Sequence, residues 1–152
     1  MLRESTTFFK DVKPTRAPMR KLDDLIDAYY KSSGVSDPRA RAGARILLKL
    51  DVQGYELEVL KGARETLSSV EVIILETSVL SWNAGSPLVA EVMGAMHTIG
   101  FRVLDLIERH GWGQSDQTLQ LDFAFARSDS VLFAAAAAET GVILGPGRRR
   151  RV

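Results

Sequence analysis

Apolar positions recur along this chain with a helical period in some segments and a strand period in others. Leu22, Leu25, Ile26 and Tyr29 fall at i, i+3, i+4 and i+7 with Asp23, Asp24 and Asp27 between them, which predicts an amphipathic helix ended by Ser32-Ser33-Gly34. Ile46-Leu47-Leu48 and Leu50, broken only by Lys49, read as a short strand buried on both faces of a parallel sheet, with Asp51 at its carboxyl end. Gln53-Gly54 turns the chain. Leu57, Leu60, Ala63 and Leu67 then line one face of a helix, Glu58, Lys61 and Glu65 point outward, and Ser68-Ser69 closes it. Val70, Val72, Ile73, Ile74 and Leu75 make a second apolar strand that finishes on Glu76. Ser86 suits a helix N-cap with Pro87 at the first helical position, and Leu88, Val89, Val92, Met96 and Ile99 carry the period to Gly100. Phe101 to Ile107 is a third strand. A polar loop with His110, Gly111 and Gly113 leads to Leu119, Leu121, Phe123 and Phe125, whose alternation with Gln120, Asp122, Ala124 and Ala126 predicts a strand exposed on one face.

The order strand, helix, strand, helix, strand, strand predicts an α/β fold: half of a doubly wound parallel sheet, closed by a C-terminal antiparallel hairpin. In such sheets ligands lie beyond the carboxyl ends of the parallel strands, where loops and helix N-termini converge. Asp51 and Glu76 end two successive strands on that rim. Phe8-Phe9 and Val12 suggest an edge strand within an otherwise irregular segment 1–19, and residues 131–152 read as an Ala-rich and Arg-rich tail, disordered at its end.

Composition narrows the function. A chain of 152 residues, 45% hydrophobic and 26% charged, is the size of one ordinary globular domain, and the absence of cysteine excludes disulfides, thiolate zinc sites and thiol nucleophiles. No apolar run reaches the roughly 20 residues of a spanning helix, so a cytoplasmic protein without a membrane partner is expected. The net charge of +1 conceals a division: 11 Lys/Arg against 6 Asp/Glu over residues 1–49, 5 against 12 over 50–130, and 4 against 1 over 131–152. The acidic middle carries the clearest periodicity, which argues against nucleic acid as a ligand of the folded core, and the Arg148 to Arg151 run reads first as a solvated tail.

The ungapped block Leu47-Leu48-Lys49-Leu50-Asp51-Val52-Gln53-Gly54-Tyr55-Glu56-Leu57-Glu58-Val59-Leu60-Lys61-Gly62-Ala63 resembles the signature block of the FkbM-type methyltransferases. Weaker similarity continues in order through Ile73 to Glu76, Pro87 to Val92, Gly100 to Val103, Leu119 to Asp122 and Arg127 to Ser130, covering roughly residues 20 to 130. The resemblance implies a class I methyltransferase, in which a seven-stranded Rossmann-like sheet binds S-adenosylmethionine and transfers its methyl group to a hydroxyl of a sugar or natural product. Residues 47–51 would be the fourth strand of that sheet, residues 72–76 the fifth, and the last two strands the closing hairpin. The family's glycine-rich turn and the acidic residue after it have no counterpart before Leu47. Residues 20–130 therefore read as the C-terminal part of the domain, its glycine-rich first half missing. A truncated, non-catalytic module that needs a partner chain is the alternative. Without the first strand, Leu47, Leu48 and Leu50 would form an unpaired apolar edge open to self-association.

Methyl transfer needs an acceptor oxygen aligned with the methyl group and a base for its proton. Asp51 is the first candidate, as base or as the group that orients the acceptor, with helix capping as its structural alternative. Glu76 is the second, as an acceptor of a substrate hydroxyl. The resemblance implies that Asp51 and Gln53 stand on the cofactor side, with Glu56 there or simply a first-turn acid. Asp51 and Glu76 could share Mg²⁺, but spacing fixes no third ligand, so no metal ligand is assigned. His110 reads as a surface loop histidine or a base over the pocket, His97 as structural, and Trp82 as local packing or a platform for a sugar ring.

Overall fold

The computed structural model describes residues 15–34, 44–81, 85–111 and 116–134. The first apolar repeat forms helix α1 (Leu22–Ser32), which stops where the serines are: the hydroxyls of Ser32 and Ser33 donate to the carbonyls of Tyr29 and Tyr30. No residue of α1 is fully buried, and Tyr29 is 64% exposed. Polar contacts anchor the helix instead. Asp23 N–H donates to the carbonyl of Gly62 (3.0 Å), and the Asp23 carboxylate accepts the N–H groups of Glu65 (3.1 Å) and Thr66 (2.8 Å) and the Thr66 hydroxyl (2.7 Å).

Those contacts overturn one expectation. The apolar repeat from Leu57 to Leu67 is not one helix but two pieces, α2 (Glu56–Lys61) and a 3₁₀ turn (Thr66–Ser69). Asp23 takes the N–H groups that would have continued the α-helical ladder, so the second piece starts afresh with α1 as its cap.

Strands β1 (Ile46–Leu50), β2 (Val70–Ser78), β3 (Phe101–Gly111) and β4 (Thr118–Arg127) form one mixed sheet in the order β1-β2-β4-β3. β1 runs parallel to β2, while β4 is antiparallel to both β2 and β3. The expected antiparallel pair is present, with β4 inserted between β2 and β3. Helix α3 (Val89–Thr98) connects β2 to β3 and ends at Gly100, whose φ of 90° provides the left-handed turn. Its start differs from expectation. Leu88, not Ser86, precedes the first turn, and the Glu91 carboxylate reaches back to accept Leu88 N–H at 2.8 Å. Ser86 is buried, and its hydroxyl has no hydrogen-bond partner among the described residues.

The core lies on one face of the sheet, where Leu50, Ile73, Leu75 and Phe125 pack with Leu60 of α2 and Val92 and Met96 of α3. Burying these side chains removes the apolar surface that drives the sheet and helices together. β1 is not buried on both faces, as its apolar run suggested: Leu50 is buried, but Leu47 points the other way and is 62% exposed. Among the described residues β1 pairs only with β2, so it stands at the sheet edge. The second face of β4 is not uniformly wet either. Ala124 and Ala126 are buried, and Arg102, which pairs with Ala126, lays its guanidinium over the ring of Phe133 in the helical turn 131–134. Phe8, Phe9, Val12, Trp82 and the arginine tail lie outside the described residues.

Candidate functional site

The loop after β1 sets the site. Gln53 and Gly54 both have positive φ, 52° and 106°. For a side chain as long as glutamine's this is a sparsely populated conformation that surrounding contacts must hold. Glu56 holds it. Its carboxylate, in a residue 3% exposed, accepts Val52 N–H at 3.2 Å and Gly54 N–H at 3.0 Å. Glu56 is therefore committed to the backbone, and Asp51 does not take the helix-capping role considered for it.

So held, Gln53 directs its side-chain amide between Asp51, just past β1, and Glu76, which is not the end of β2 as the sequence suggested but lies two positions before it, because β2 continues its pairing with β4 to Ser78. The amide nitrogen donates to Asp51 Oδ1 at 2.9 Å and to Glu76 Oε1 at 2.7 Å. The two sequence candidates are thus brought together, and Gln53 links them. Two further strands contribute residues. Gln120 on β4 also donates to Glu76 Oε1, and Asp122, the register partner of Glu76, lies 3.2 Å from His110 Nε2 on β3. Glu108 Oε1 lies 3.9 Å from the other ring nitrogen, Nδ1. Glu76, His110 and Asp122, all half-buried, each bring one ligand-type atom within 4.8 Å of the others.

His110 is a strand residue, not a loop residue as the sequence suggested. β3 runs four positions past Ile107, and register shifts between Val103 and Asp105 and between Leu106 and Glu108 bring Glu108 and His110 opposite Asp122 and Gln120. Gln120 and Asp122 were legible as wet-face residues of a strand, but their neighbours were not. His97 stands exposed in the last turn of α3, away from this group.

The acids differ in character. The amide of Gln53, opposed by partial burial and aided by Lys49 at 3.3 Å, holds Asp51 below its ordinary carboxylate range. Glu76 is pushed up, first by burial and then by the neighbouring Asp51 charge, against the Gln53 hydrogen bond. An open cleft of about 800 Å³ adjoins the loop through Gly54 and Tyr55 and extends to Lys61, Ser81, Ser86 and Glu91, but neither Asp51 nor Glu76 lines it.

Residues 2–103 match the methyltransferase FkbM domain. The chain belongs to that family. No curated protein and no solved structure matches it. The FkbM match includes Asp51, Gln53, Glu56 and Glu76, and it ends within β3, before His110, Gln120 and Asp122. It begins and ends earlier than the stretch 20–130 over which the resemblance was read. Family membership suggests methyltransferase activity and a methyl donor. Among the described residues, no helix is long and apolar enough to cross a membrane.

Proposed function

We propose that the chain is an S-adenosylmethionine-dependent O-methyltransferase acting on a hydroxyl of a sugar or natural-product acceptor. The observation that carries this reading is the Gln53 amide bridging Asp51 and Glu76, which joins two carboxylates from neighbouring parallel strands inside an FkbM-matched stretch. The strand order supports it, with β1 and β2 as the fourth and fifth strands of a class I sheet and β3 and β4 as its closing hairpin.

The donor set fits one side of the cofactor. A sulfonium is a cation, and Asp51, kept ionised by Gln53 and Lys49, offers it a partly exposed carboxylate on the Gln53 side. When bound, S-adenosylmethionine supplies an electrophilic methyl group. The chain's own residues then have separate tasks. Asp51 and Gln53 hold the donor side. Glu76, whose raised proton affinity suits a base better than that of Asp51, accepts the acceptor's hydroxyl proton. Gln53 and Gln120 fix its Oε1, so the base is oriented before the acceptor arrives.

Calorimetric titration of the full chain with S-adenosylmethionine tests the reading. Saturable binding that disappears in Asp51→Ala supports it. Glu76→Gln should retain binding and lose on the order of 10²-fold or more in methyl-transfer rate to hydroxyl acceptors. The rival reading is a non-catalytic module completed by a partner chain. It is favoured by the exposed Leu47 on β1, which pairs only with β2 among the described residues. No heat of binding, and no methyl transfer to any acceptor, would decide for that rival.

A further inference from the structure

Beyond the FkbM-matched segment, His110 and Asp122 lie beside Glu76 and have no part in methyl transfer as described above. We propose that Glu76, His110 and Asp122 form a binding site for a divalent ion of the zinc class. The three ligands come from three adjacent strands, β2, β3 and β4, and sequence spacing alone gives no hint of them. Their candidate ligand atoms lie within 4.8 Å of one another. His110 Nε2 and Asp122 Oδ1 are 3.2 Å apart. Two ligands about 2.1 Å from a shared ion stand about 3.0–3.4 Å apart in octahedral or tetrahedral geometry, so this pair needs little movement to coordinate one.

The surroundings match what such a site needs. The amides of Gln53 and Gln120 both donate to one oxygen of Glu76, Oε1, which fixes the carboxylate's orientation without engaging Oε2. Glu108 Oε1 stands 3.9 Å from His110 Nδ1, beyond hydrogen-bond distance, and a movement of about 1 Å would let it accept the Nδ1–H of the tautomer whose Nε2 faces the metal. In that tautomer the single imidazole proton sits on Nδ1; exchange from Nε2 runs through solvent water and leaves the proton count unchanged. Charge argues the same way. Asp51, Glu76, Glu108 and Asp122 gather four carboxylates, while the only Lys or Arg nitrogen bonded to any of them among the described residues is Lys49 Nζ, on Asp51. One imidazole with two carboxylates favours a borderline ion such as Zn²⁺ over Mg²⁺, which prefers all-oxygen sites. The assignment rests on this geometry and shares Glu76 with the methyltransferase reading, so an ion bound there would weaken Glu76 as a base.

The chain has two histidines, His97 and His110, so the unmutated protein can report the site. Chelator-treated full-length protein is titrated with Zn²⁺ while the imidazole nitrogens are followed by two-dimensional NMR, and bound metal is counted after dialysis. The expected result is one equivalent of Zn²⁺, with the His110 nitrogens shifting at stoichiometric metal and those of His97 staying in place. Asp122→Asn should weaken Zn²⁺ binding at least tenfold, and Asp51→Ala should leave it within about threefold. Circular dichroism melts confirm that each variant is folded. Three results overturn the site: no retained metal, a shift confined to His97, or binding lost in Asp51→Ala but intact in Asp122→Asn. The last would place any ion on the Asp51–Glu76 pair instead.

Discussion

Glu56 shows how a single residue can set a site it does not enter. It lies in the block shared with the FkbM family, beside more obvious candidates, yet it is buried and spends its carboxylate on Val52 and Gly54. Glu56→Ala leaves those backbone donors without a partner in a partly buried loop, which should cost about 1–3 kcal/mol in urea unfolding. Gln53 would lose its left-handed conformation, so S-adenosylmethionine binding should fall with stability. If Glu56→Ala melts like the parent protein, the clamp is unimportant. Asp129 gives a pH-dependent case. The Arg127 guanidinium, at 3.2 Å, holds its carboxyl below the ordinary range. A depressed folded-state pKa contributes stability above the unfolded value and loses it as pH falls through the folded value. Asp129→Asn should therefore be less stable at neutral pH, by about 0.2–1 kcal/mol given solvent screening, and equal to the parent in strong acid. Chemical denaturation at pH 7 and pH 2.5 checks both the sign and the window.

At the scale of elements, the division of the Leu57–Leu67 repeat is the main departure from the sequence pattern. The repeat is genuine: Leu60 and Ala63 are buried and Leu57 and Leu67 pack against the core. A helical period records which side chains face the core, but it does not record which backbone N–H groups another element will capture. Asp23 captures two of them from 42 and 43 positions away. Asp23→Ala should cost about 1–2 kcal/mol, as loss of a cap does, and should speed hydrogen exchange at the Glu65 and Thr66 amides. Unchanged exchange there would mean that α1 is not held by this contact. The boundaries of β3 were hidden for a related reason. Its register shifts put Glu108 and His110 on the Asp122 side, and a bulge leaves no mark in hydropathy.

At the scale of the whole molecule, the sheet is asymmetric, with α2 and α3 covering one face and Leu47 exposed on the other at the edge strand. An exposed apolar edge invites strand pairing between chains. The chain should self-associate in size-exclusion chromatography with light scattering, and Leu47→Lys should shift it toward monomer without lowering the melting temperature. A monomeric parent at tens of micromolar would refute this. The sequence by itself determined the mixed α/β class, the extent of α1, Asp51 at the end of the first parallel strand and the family, because each of these is written in local periodicity or in an ungapped block; Glu76, expected at the end of the second, is paired inside β2, which runs on to Ser78. Tertiary structure alone decided that Gln53 joins Asp51 to Glu76, that Glu56 holds the loop, and that His110 and Asp122 come to the same rim. Those relations are set by strand order, register and bulges, and they bring together residues separated in the chain by dozens of positions that no local pattern connects.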